Sequence, residues 1–350
     1  LEQGRDVYLV GHSIDPEILK NPRVHPTVVP RPVGVLLAEG SLKRAGVRVA
    51  TQVTRRWPDA RVVVNGGNCP WPDINWVHSV HAAWPRFDAR APLWFRAKSE
   101  VSKQKARRDE LNALQRAKLV IANSQRTRRG LIAIGIPPEK IQVIYLGSEP
   151  DWRPPTNAER QEARKSFGLS QDTNVVSFVG GLGYDCNKGF DTLLAAWKEA
   201  NLDDAVLLAA GAGRGFIHWR REIERLGQHG RVRLLGFTDR VADLLNASDL
   251  FVSPVRYEAF GMNVLEAIYR GVPSIVSKSA GISELYPKEL SDWLLDDPED
   301  VHSLREALRA WHKNVDFLRS KLDMVSLNLR EHTMKQMGQK LISVAEGDKK

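Results

Sequence analysis

One segment decides how this chain is interpreted, namely Ser253-Pro254-Val255-Arg256-Tyr257-Glu258-Ala259-Phe260-Gly261-Met262-Asn263-Val264-Leu265-Glu266-Ala267. It places Glu258 and Glu266 eight positions apart on either side of Gly261. The residues after Gly261 continue as a short apolar pattern that a glycine and a proline end, so we predict a helix beginning at Met262. The first N–H groups of a helix attract anions, and neighbouring carboxylates can accept hydrogen bonds from sugar hydroxyls. The segment therefore predicts a site for a nucleotide-sugar.

Composition limits the class of protein. The chain has 350 residues, which is enough for two domains of ordinary size. No run approaches the roughly eighteen consecutive apolar residues of a membrane span, and the first residues lack the apolar core of a signal peptide. Two distant cysteines, Cys69 and Cys186, are too few for a disulfide framework or a zinc site, so we predict a cytoplasmic protein. The net charge of +9 favours anionic partners, but no zinc-finger spacing or aromatic RNA-binding signature points to nucleic acid.

Short apolar runs rich in β-branched residues alternate with helical patterns along the chain. Such alternation is typical of buried parallel strands with helical crossovers. Three prolines in residues 149–155 predict a linker. We therefore predict an α/β protein with two doubly wound, Rossmann-like domains that face each other across a cleft, over residues 1–150 and 151–330, and a final helix in residues 331–350 that returns to the first domain. The predicted strands are Val7–Val10, Val62–Val64, Ile74–Val77, Leu119–Ala122, Val175–Val179, Val206–Ala210, Val232–Leu235, Leu250–Val252 and Ser274–Val276.

The start of the chain departs from this plan. A domain of this type normally begins with a strand and a glycine-bearing loop. Residues 1–13 instead look like the end of a helix followed by a second strand. We expect roughly one strand–loop–helix unit of about 30 residues to be missing before Leu1.

Several segments, taken in order, resemble the retaining glycosyltransferases of the group 1 family (family 4), which have the GT-B fold and an E-x7-E signature. The resemblance implies a GT-B fold and transfer of a sugar from a nucleotide-diphosphate-sugar to a hydroxyl on a glycan, a lipid or a small molecule, with retention of anomeric configuration and no cofactor. The matching segments are Val120–Ser124, Ile141–Gly147, Phe178–Leu182, Asn187–Leu194, Gly211–Gly213, Val232–Phe237, Leu244–Asp249, the Glu258–Glu266 segment and Gly281–Glu284.

The same resemblance implies roles for individual residues. Lys188 contacts the donor diphosphate as a point cation, Glu258 orients the transferred sugar, and Glu266 binds the ribose. Backbone N–H groups at the start of the predicted helix bind phosphate. The remaining donor-binding candidates are Gly261, Met262, Asn263, Gly181, Gly211 and Arg256.

The phosphate-binding loop departs from the family pattern. Relatives usually carry arginine at the position of Gly181, so one of two expected phosphate cations is missing. Arg256 or Arg214 could replace it from another loop, or glycine amides could form an anion-binding nest. Two alternatives therefore stay open beside an active transferase, namely a weak or inactive relative that binds nucleotide-sugar and a nucleotide-sugar epimerase.

Two histidines, His78 and His81, follow the predicted strand Ile74–Val77. The family commonly places a histidine here, near the transferred sugar. His78 fits that position more naturally and is the catalytic candidate, whereas His81 is assigned to the acceptor side. No third ligand accompanies the pair, so we predict no metal site.

A basic stretch lies between the histidines and the next predicted strand. It fits either a solvated helix face or peripheral contact with an anionic membrane or acceptor. Three acidic residues, Glu100, Asp109 and Glu110, interrupt it. Its basic residues are Lys98, Lys103, Lys105, Arg107, Arg108, Arg116 and Lys118.

Overall fold

The structure is a computed structural model that describes residues 4–31, 35–84, 91–329 and 332–347. The predicted helix end in residues 1–3 and the predicted domain boundary at residues 330–331 lie outside the described residues. Each of the nine predicted strands coincides with an observed strand to within a residue or two. The exact limits of the two domains stay a prediction.

The first part of the chain forms two parallel sheets. The helices are α1 Pro16–Leu19, α2 Val35–Arg56, α3 Leu93–Arg116 and α4 Gln125–Ala133, and the strands are β1 Val7–Gly11, β2 Val24–Val28, β3 Val63–Val64, β4 Ile74–Val77, β5 Leu119–Ala122 and β6 Ile141–Val143. A four-stranded sheet has the order β3-β4-β5-β6, and β1 pairs with β2 in a separate two-stranded sheet. Strand β2 was not predicted.

The second part forms one six-stranded parallel sheet. Its strands are β7 Asn174–Val179, β8 Ala205–Ala210, β9 Val232–Gly236, β10 Leu250–Ser253, β11 Ser274–Ser277 and β12 Leu294–Leu295. Their order across the sheet is β12-β11-β10-β7-β8-β9. Its helices are α5 Asn157–Ser166, α6 Phe190–Ala200, α7 Phe216–Arg225, α8 Val241–Ala247, α9 Met262–Tyr269, α10 Val301–Lys313, α11 Val315–Ser320 and α12 Leu322–Leu329. The sequence analysis missed β12, which has only two residues.

The largest hydrophobic core lies in this second part. The central strands are buried on both faces, which is why they appear in the sequence as continuous apolar runs rather than alternating ones. Trp197 of α6 and Trp311 of α10 are both buried in this core. Truncating either side chain to alanine would cost about 3–5 kcal/mol of stability.

The last helix, α13 Met334–Glu346, contacts the first part of the chain. Its residues Met337, Leu341 and Val344 pack against the buried side chains of β4, β5 and the residue after β6. The approach begins with a parallel bridge between Ser148 and Thr333. A side chain at Gly147 would come within 2.2 Å of the Thr333 backbone, so only glycine permits this crossing.

Candidate active site

The order of the strands locates a crevice in the second sheet. From β7 the chain proceeds through β8 and β9 on one side, whereas β10, β11 and β12 extend on the other side. Loops leaving the carboxyl ends of β7 and β10 therefore diverge, and such a reversal of strand order is where open α/β sheets bind ligands. The two loops are residues 180–189, which contain Gly181 and Lys188, and residues 254–261, which contain Arg256, Glu258 and Gly261.

Asn187 connects the two loops. It is buried, and its side-chain amide donates to the carbonyl of Tyr257 and accepts from the N–H of Tyr257, each at 3.0 Å. The N–H of Arg256 donates to the Asn187 carbonyl at 2.8 Å. Gly189 has φ +73°, and a Cβ there would lie 1.9 Å from the Pro254 carbonyl oxygen. This close approach of the two loops places the side chain of Lys188, which lies between Asn187 and Gly189, beside the second loop.

The structure brings Lys188 together with Glu258. The Lys188 ammonium forms an ion pair with the Glu258 carboxylate, and the two side chains are 26% and 23% exposed. The stem of Lys188 crosses Gly180, where a Cβ would lie 3.0 Å from both the Cβ and the Cγ of the lysine. The predicted phosphate cation and the predicted sugar-orienting carboxylate are therefore direct neighbours.

The predicted helix at the centre of the signature is confirmed as α9, which begins at Met262. Gly261 occupies the N-cap with φ +117°, a value that L side chains rarely adopt, and as a glycine it offers no side-chain cap to the helix start. Asn263 fixes the helix start to the end of β7, because its side-chain amide donates to the Val179 carbonyl at 2.9 Å. The first N–H groups of α9 thus lie at the crevice beside Glu258.

Glu266 lies further along the same helix. Its carboxylate accepts from Arg270 Nε at 2.9 Å, and the side chains of this pair are 16% and 10% exposed. A ribose bound by Glu266 would have to share the carboxylate with Arg270 or displace it.

The glycine candidates differ in the space around them. The N–H of Gly211, at the end of β8, donates to the Gly236 carbonyl at 2.8 Å, and a Cβ at Gly211 would lie 1.8 Å from the Gly180 oxygen. Gly181 is exposed, and the nearest atom to a Cβ there would be the Ala212 oxygen at 3.9 Å. Close packing therefore requires glycine at Gly211, whereas Gly181 has room for a side chain.

The two arginines considered as substitutes are both engaged. The Arg256 guanidinium forms hydrogen bonds with Asp191 at 2.8 and 2.9 Å, with Glu299 at 2.6 Å and with the Cys186 carbonyl. Although burial opposes its charge, these carboxylates raise the pKa of Arg256. Arg214 lies 5.3 Å from the centre of the Phe95 ring in α3. A donor phosphate would compete with two carboxylates for Arg256.

His81 has a partner that the sequence analysis missed. Its Nδ1 lies 2.9 Å from one carboxylate oxygen of the buried Glu110, and its backbone N–H donates to the other at 3.0 Å. This hydrogen bond raises the pKa of His81, although burial acts against it. Glu110 lies on α3, 29 positions away, where the sequence shows it only as an interruption in a basic stretch. No local pattern links the two residues.

His78 has a different environment. It directly follows β4, its ring lies 5.0 Å from that of Trp76, and neighbouring groups desolvate it, which lowers the pKa of His78. The pKa values of His78 and His81 are therefore shifted in opposite directions, although the two residues lie only three positions apart.

The histidine segment and the Glu258 loop are joined across the cleft. Tyr257 is buried, and its hydroxyl accepts a hydrogen bond from the backbone N–H of Val80 at 2.7 Å. Tyr257 and Ala259 also belong to a hydrophobic cluster that consists otherwise of residues from the first domain. The predicted histidine site of the first domain and the predicted donor site of the second domain are therefore adjacent.

Two general findings concern the described part of the chain. It contains no group of three or more His, Cys, Asp or Glu side chains arranged to hold a metal ion. None of its helices is both long enough and apolar enough to span a bilayer.

Comparison with known proteins identifies the class. Residues 1–152 match the model described as Glycosyltransferase Family 4, and residues 159–323 match the model described as Glycosyl transferases group 1. The chain belongs to this family of glycosyltransferases.

Curated relatives match part of the chain. An uncharacterised glycosyltransferase of Methanocaldococcus jannaschii is 34% identical over 161 residues, which are 44% of this chain and 40% of that protein. The N-acetyl-alpha-D-glucosaminyl L-malate synthase of Bacillus anthracis is 30% identical over 149 residues, which are 43% of this chain and 38% of that protein. The alignments therefore span less than half the length of these relatives.

Solved structures match nearly the whole chain at low identity. WaaG, a glycosyltransferase involved in lipopolysaccharide biosynthesis, superposes with a TM-score of 0.75 at 18% identity, covering 99% of this chain and 92% of that one. Anabaena HepE, solved with UDP-glucose, gives a TM-score of 0.71 at 19% identity and covers 95% of this chain and 90% of that one. This similarity confirms the predicted two-domain GT-B fold.

Proposed function

We propose that the protein transfers a sugar from a nucleotide-diphosphate-sugar to a hydroxyl acceptor and retains the anomeric configuration. The observation that carries the proposal is the Lys188–Glu258 pair beside the start of α9, whose N-cap is Gly261, at the strand-order reversal of the second sheet. A cation, helix N–H groups and a carboxylate in one crevice match the phosphates and the hydroxyls of such a donor.

Donor binding uses the second domain. The diphosphate accepts hydrogen bonds from the N–H groups of Gly261, Met262 and Asn263, where the helix dipole favours negative charge. Lys188 turns from Glu258 to the phosphate, which releases the carboxylate for the sugar hydroxyls. Glu266 accepts hydrogen bonds from the ribose hydroxyls in exchange for part of its contact with Arg270.

Transfer then depends on charge stabilisation. The bond between the anomeric carbon and the phosphate oxygen breaks, and its electron pair leaves with the diphosphate, whose charge Lys188 and the helix start stabilise. Glu258 and His78 position the cationic sugar while the acceptor hydroxyl attacks the same face and gives its proton to the departing diphosphate oxygen. His81 lies on the acceptor side. Contact between the domains limits access of water, which would otherwise hydrolyse the donor.

The names of relatives support the substrate class. One relative, 28% identical over 176 residues that are 45% of its length, is an Escherichia coli transferase named for UDP-Gal and a diphosphoundecaprenol acceptor. HepE was solved with UDP-glucose. We propose a nucleotide-sugar donor, an acceptor hydroxyl on a sugar, a lipid or a small molecule, and no cofactor.

The test is a thermal-shift screen of nucleotide-sugars, followed by product analysis by NMR. The proposal predicts a stabilising donor and a product whose anomeric configuration equals that of the donor. An inverted product refutes retention, and an isomerised donor without transfer identifies an epimerase. Binding without turnover identifies an inactive relative, the alternative favoured by Gly181.

We also propose that the protein is cytoplasmic and binds anionic membranes peripherally through α3. Trp94, Lys98, Val101 and Arg108 are separated by four, three and seven residues, so they lie on one side of the helix. Trp94 and Val101 are 63% and 70% exposed, and the preceding Leu93 is 78% exposed. Exposed aromatic and aliphatic side chains among cations are typical of helices that lie in the membrane interface.

Vesicle co-sedimentation tests this surface. We expect binding to vesicles that contain phosphatidylglycerol, weaker binding at high salt, and a loss of about tenfold in affinity for Trp94→Ala. Trp57→Ala is the matched control, because Trp57 is also exposed, at 52%, and lies outside α3. Equal binding to neutral vesicles, or equal losses in both variants, would contradict the membrane proposal.

A further inference from the structure

Glu284 is a residue of the second domain whose carboxylate is bound almost entirely by the first domain. It lies in the 3-10 helix Gly281–Leu285 and accepts hydrogen bonds from the backbone N–H groups of Gln125 at 2.8 Å and Arg126 at 2.6 Å. Tyr145 Oη donates to it at 3.2 Å, and Arg129 lies at 3.1 Å. The Glu284 side chain is only 16% exposed.

These contacts are favourable for a clear electrostatic reason. Gln125 and Arg126 begin α4, so their N–H groups lack partners within the helix and lie at the positive end of its dipole. A carboxylate from the other domain satisfies both. Burial and the neighbouring Glu284 together raise the pKa of Tyr145 to about 12, so its hydroxyl remains a donor.

The backbone around Glu284 supports the Glu258 loop. The N–H of Gly281 donates to the Glu258 carbonyl at 3.1 Å, and the N–H of Ile282 donates to the Phe260 carbonyl at 2.7 Å. From the opposite side, Ser124, the N-cap residue of α4, donates its hydroxyl hydrogen to the Ala259 carbonyl at 2.6 Å. The loop that carries Glu258 is thus held between the Glu284 turn and the start of α4.

We propose that Glu284 is a positioning residue, which binds the amino end of α4 and so fixes the Glu258 loop only when the two domains are docked. Its role in sugar transfer rests on the proposed function, whereas its role in domain docking does not. Separating the domains exposes the α4 N–H groups and frees one side of the loop. Glu284 therefore couples closure of the cleft to the assembly of the sugar site.

Amide hydrogen exchange tests the docking role without any substrate. In Glu284→Ala, the peptide that contains Gln125 and Arg126 should exchange about tenfold faster than in the wild type, as expected for the loss of a charge-assisted hydrogen bond. The matched control is Glu289→Ala, since Glu289 is an exposed glutamate of the same domain. Exchange at wild-type rates in Glu284→Ala would overturn the proposal.

Kinetics test the positioning role. Glu284→Gln should lower kcat about tenfold while nucleotide affinity changes by less than about twofold, because the donor site lies within the second domain. If Glu284→Ala does not fold, amide hydrogen exchange in Glu284→Gln and Tyr145→Phe tests the docking role instead. In Tyr145→Phe, the peptide that contains Gln125 and Arg126 should exchange about fivefold faster than in the wild type. Faster exchange with unchanged kcat would refute positioning but keep docking. Failure of the wild type to bind any nucleotide-sugar would refute the proposed function alone.

Discussion

Gly181→Arg should supply the phosphate cation that the family usually carries at this position. Gly181 is exposed, and its φ lies outside the left-handed region. Among the residues that the structure describes, a Cβ there would meet only the Ala212 oxygen, at 3.9 Å. Because the site accepts a side chain without strain, the substitution should leave the fold intact and contribute roughly 0.4–1 kcal/mol of stability through the unfolded chain.

The expected gain follows from the new contact. A hydrogen bond to a charged group contributes about 1.5–3 kcal/mol, which corresponds to a gain in affinity of about tenfold to a hundredfold. Water competes for the phosphate at an exposed position, so we expect the lower end, about tenfold. Isothermal titration of UDP, GDP and ADP into the wild type and Gly181→Arg measures the difference.

Two control variants test whether the gain in affinity comes from the positive charge, from the size of the new side chain or from its position. Gly181→Gln adds a side chain without the charge and should bind nucleotide as the wild type does. Gly180→Arg should reduce both stability and affinity, because a Cβ there would lie 3.0 Å from Lys188 and Phe178 side-chain atoms. If folded Gly181→Arg binds no better than Gly181→Gln, the diphosphate does not lie beside this loop.

Three further changes test the site. Lys188→Ala should lower kcat about a hundredfold to a thousandfold, the cost of losing one preorganised charge-stabilising donor, in initial-rate assays with exposed Lys198→Ala as the control. Glu266→Ala should raise the donor Kd about tenfold by calorimetry, since it loses the hydrogen bonds to ribose; an unchanged Kd would contradict that role. The folded pKa of His81 is raised above 6.5, so its pair with Glu110 should stabilise the protein below about pH 6.5 and lose this effect as pH rises through the folded value. The difference in Tm between the wild type and Glu110→Gln should therefore become smaller as the pH rises. A difference in Tm that does not depend on pH would contradict the pairing of His81 with Glu110.

The fold was largely predictable because buried parallel strands appear in the sequence as apolar runs. Runs such as Leu250–Val252 coincide with central strands. Strand β2 was missed because its sequence, Val-His-Pro-Thr-Val, contains a proline and has only one buried residue, Val24, rather than a doubly buried apolar run. A two-residue strand such as β12 carries too little sequence signal to be recognised.

The site was predictable where one local pattern contains it. Gly261 and the start of α9 follow from helix-start chemistry, whereas Lys188 and Glu258, which lie 70 positions apart, were assigned to one donor site only through the family resemblance. The partners that the sequence analysis missed come from distant segments, because tertiary packing alone brings Glu110 to His81 and Glu284 to the start of α4.

A crystal structure of the protein with a nucleotide-diphosphate-sugar that it binds tests the central claim most directly. The account predicts the diphosphate on the N–H groups of Met262 and Asn263, Lys188 turned from Glu258 to a phosphate oxygen, and the ribose hydroxyls on Glu266. A donor bound elsewhere, with the Lys188–Glu258 pair intact and the start of α9 free of phosphate, would contradict it.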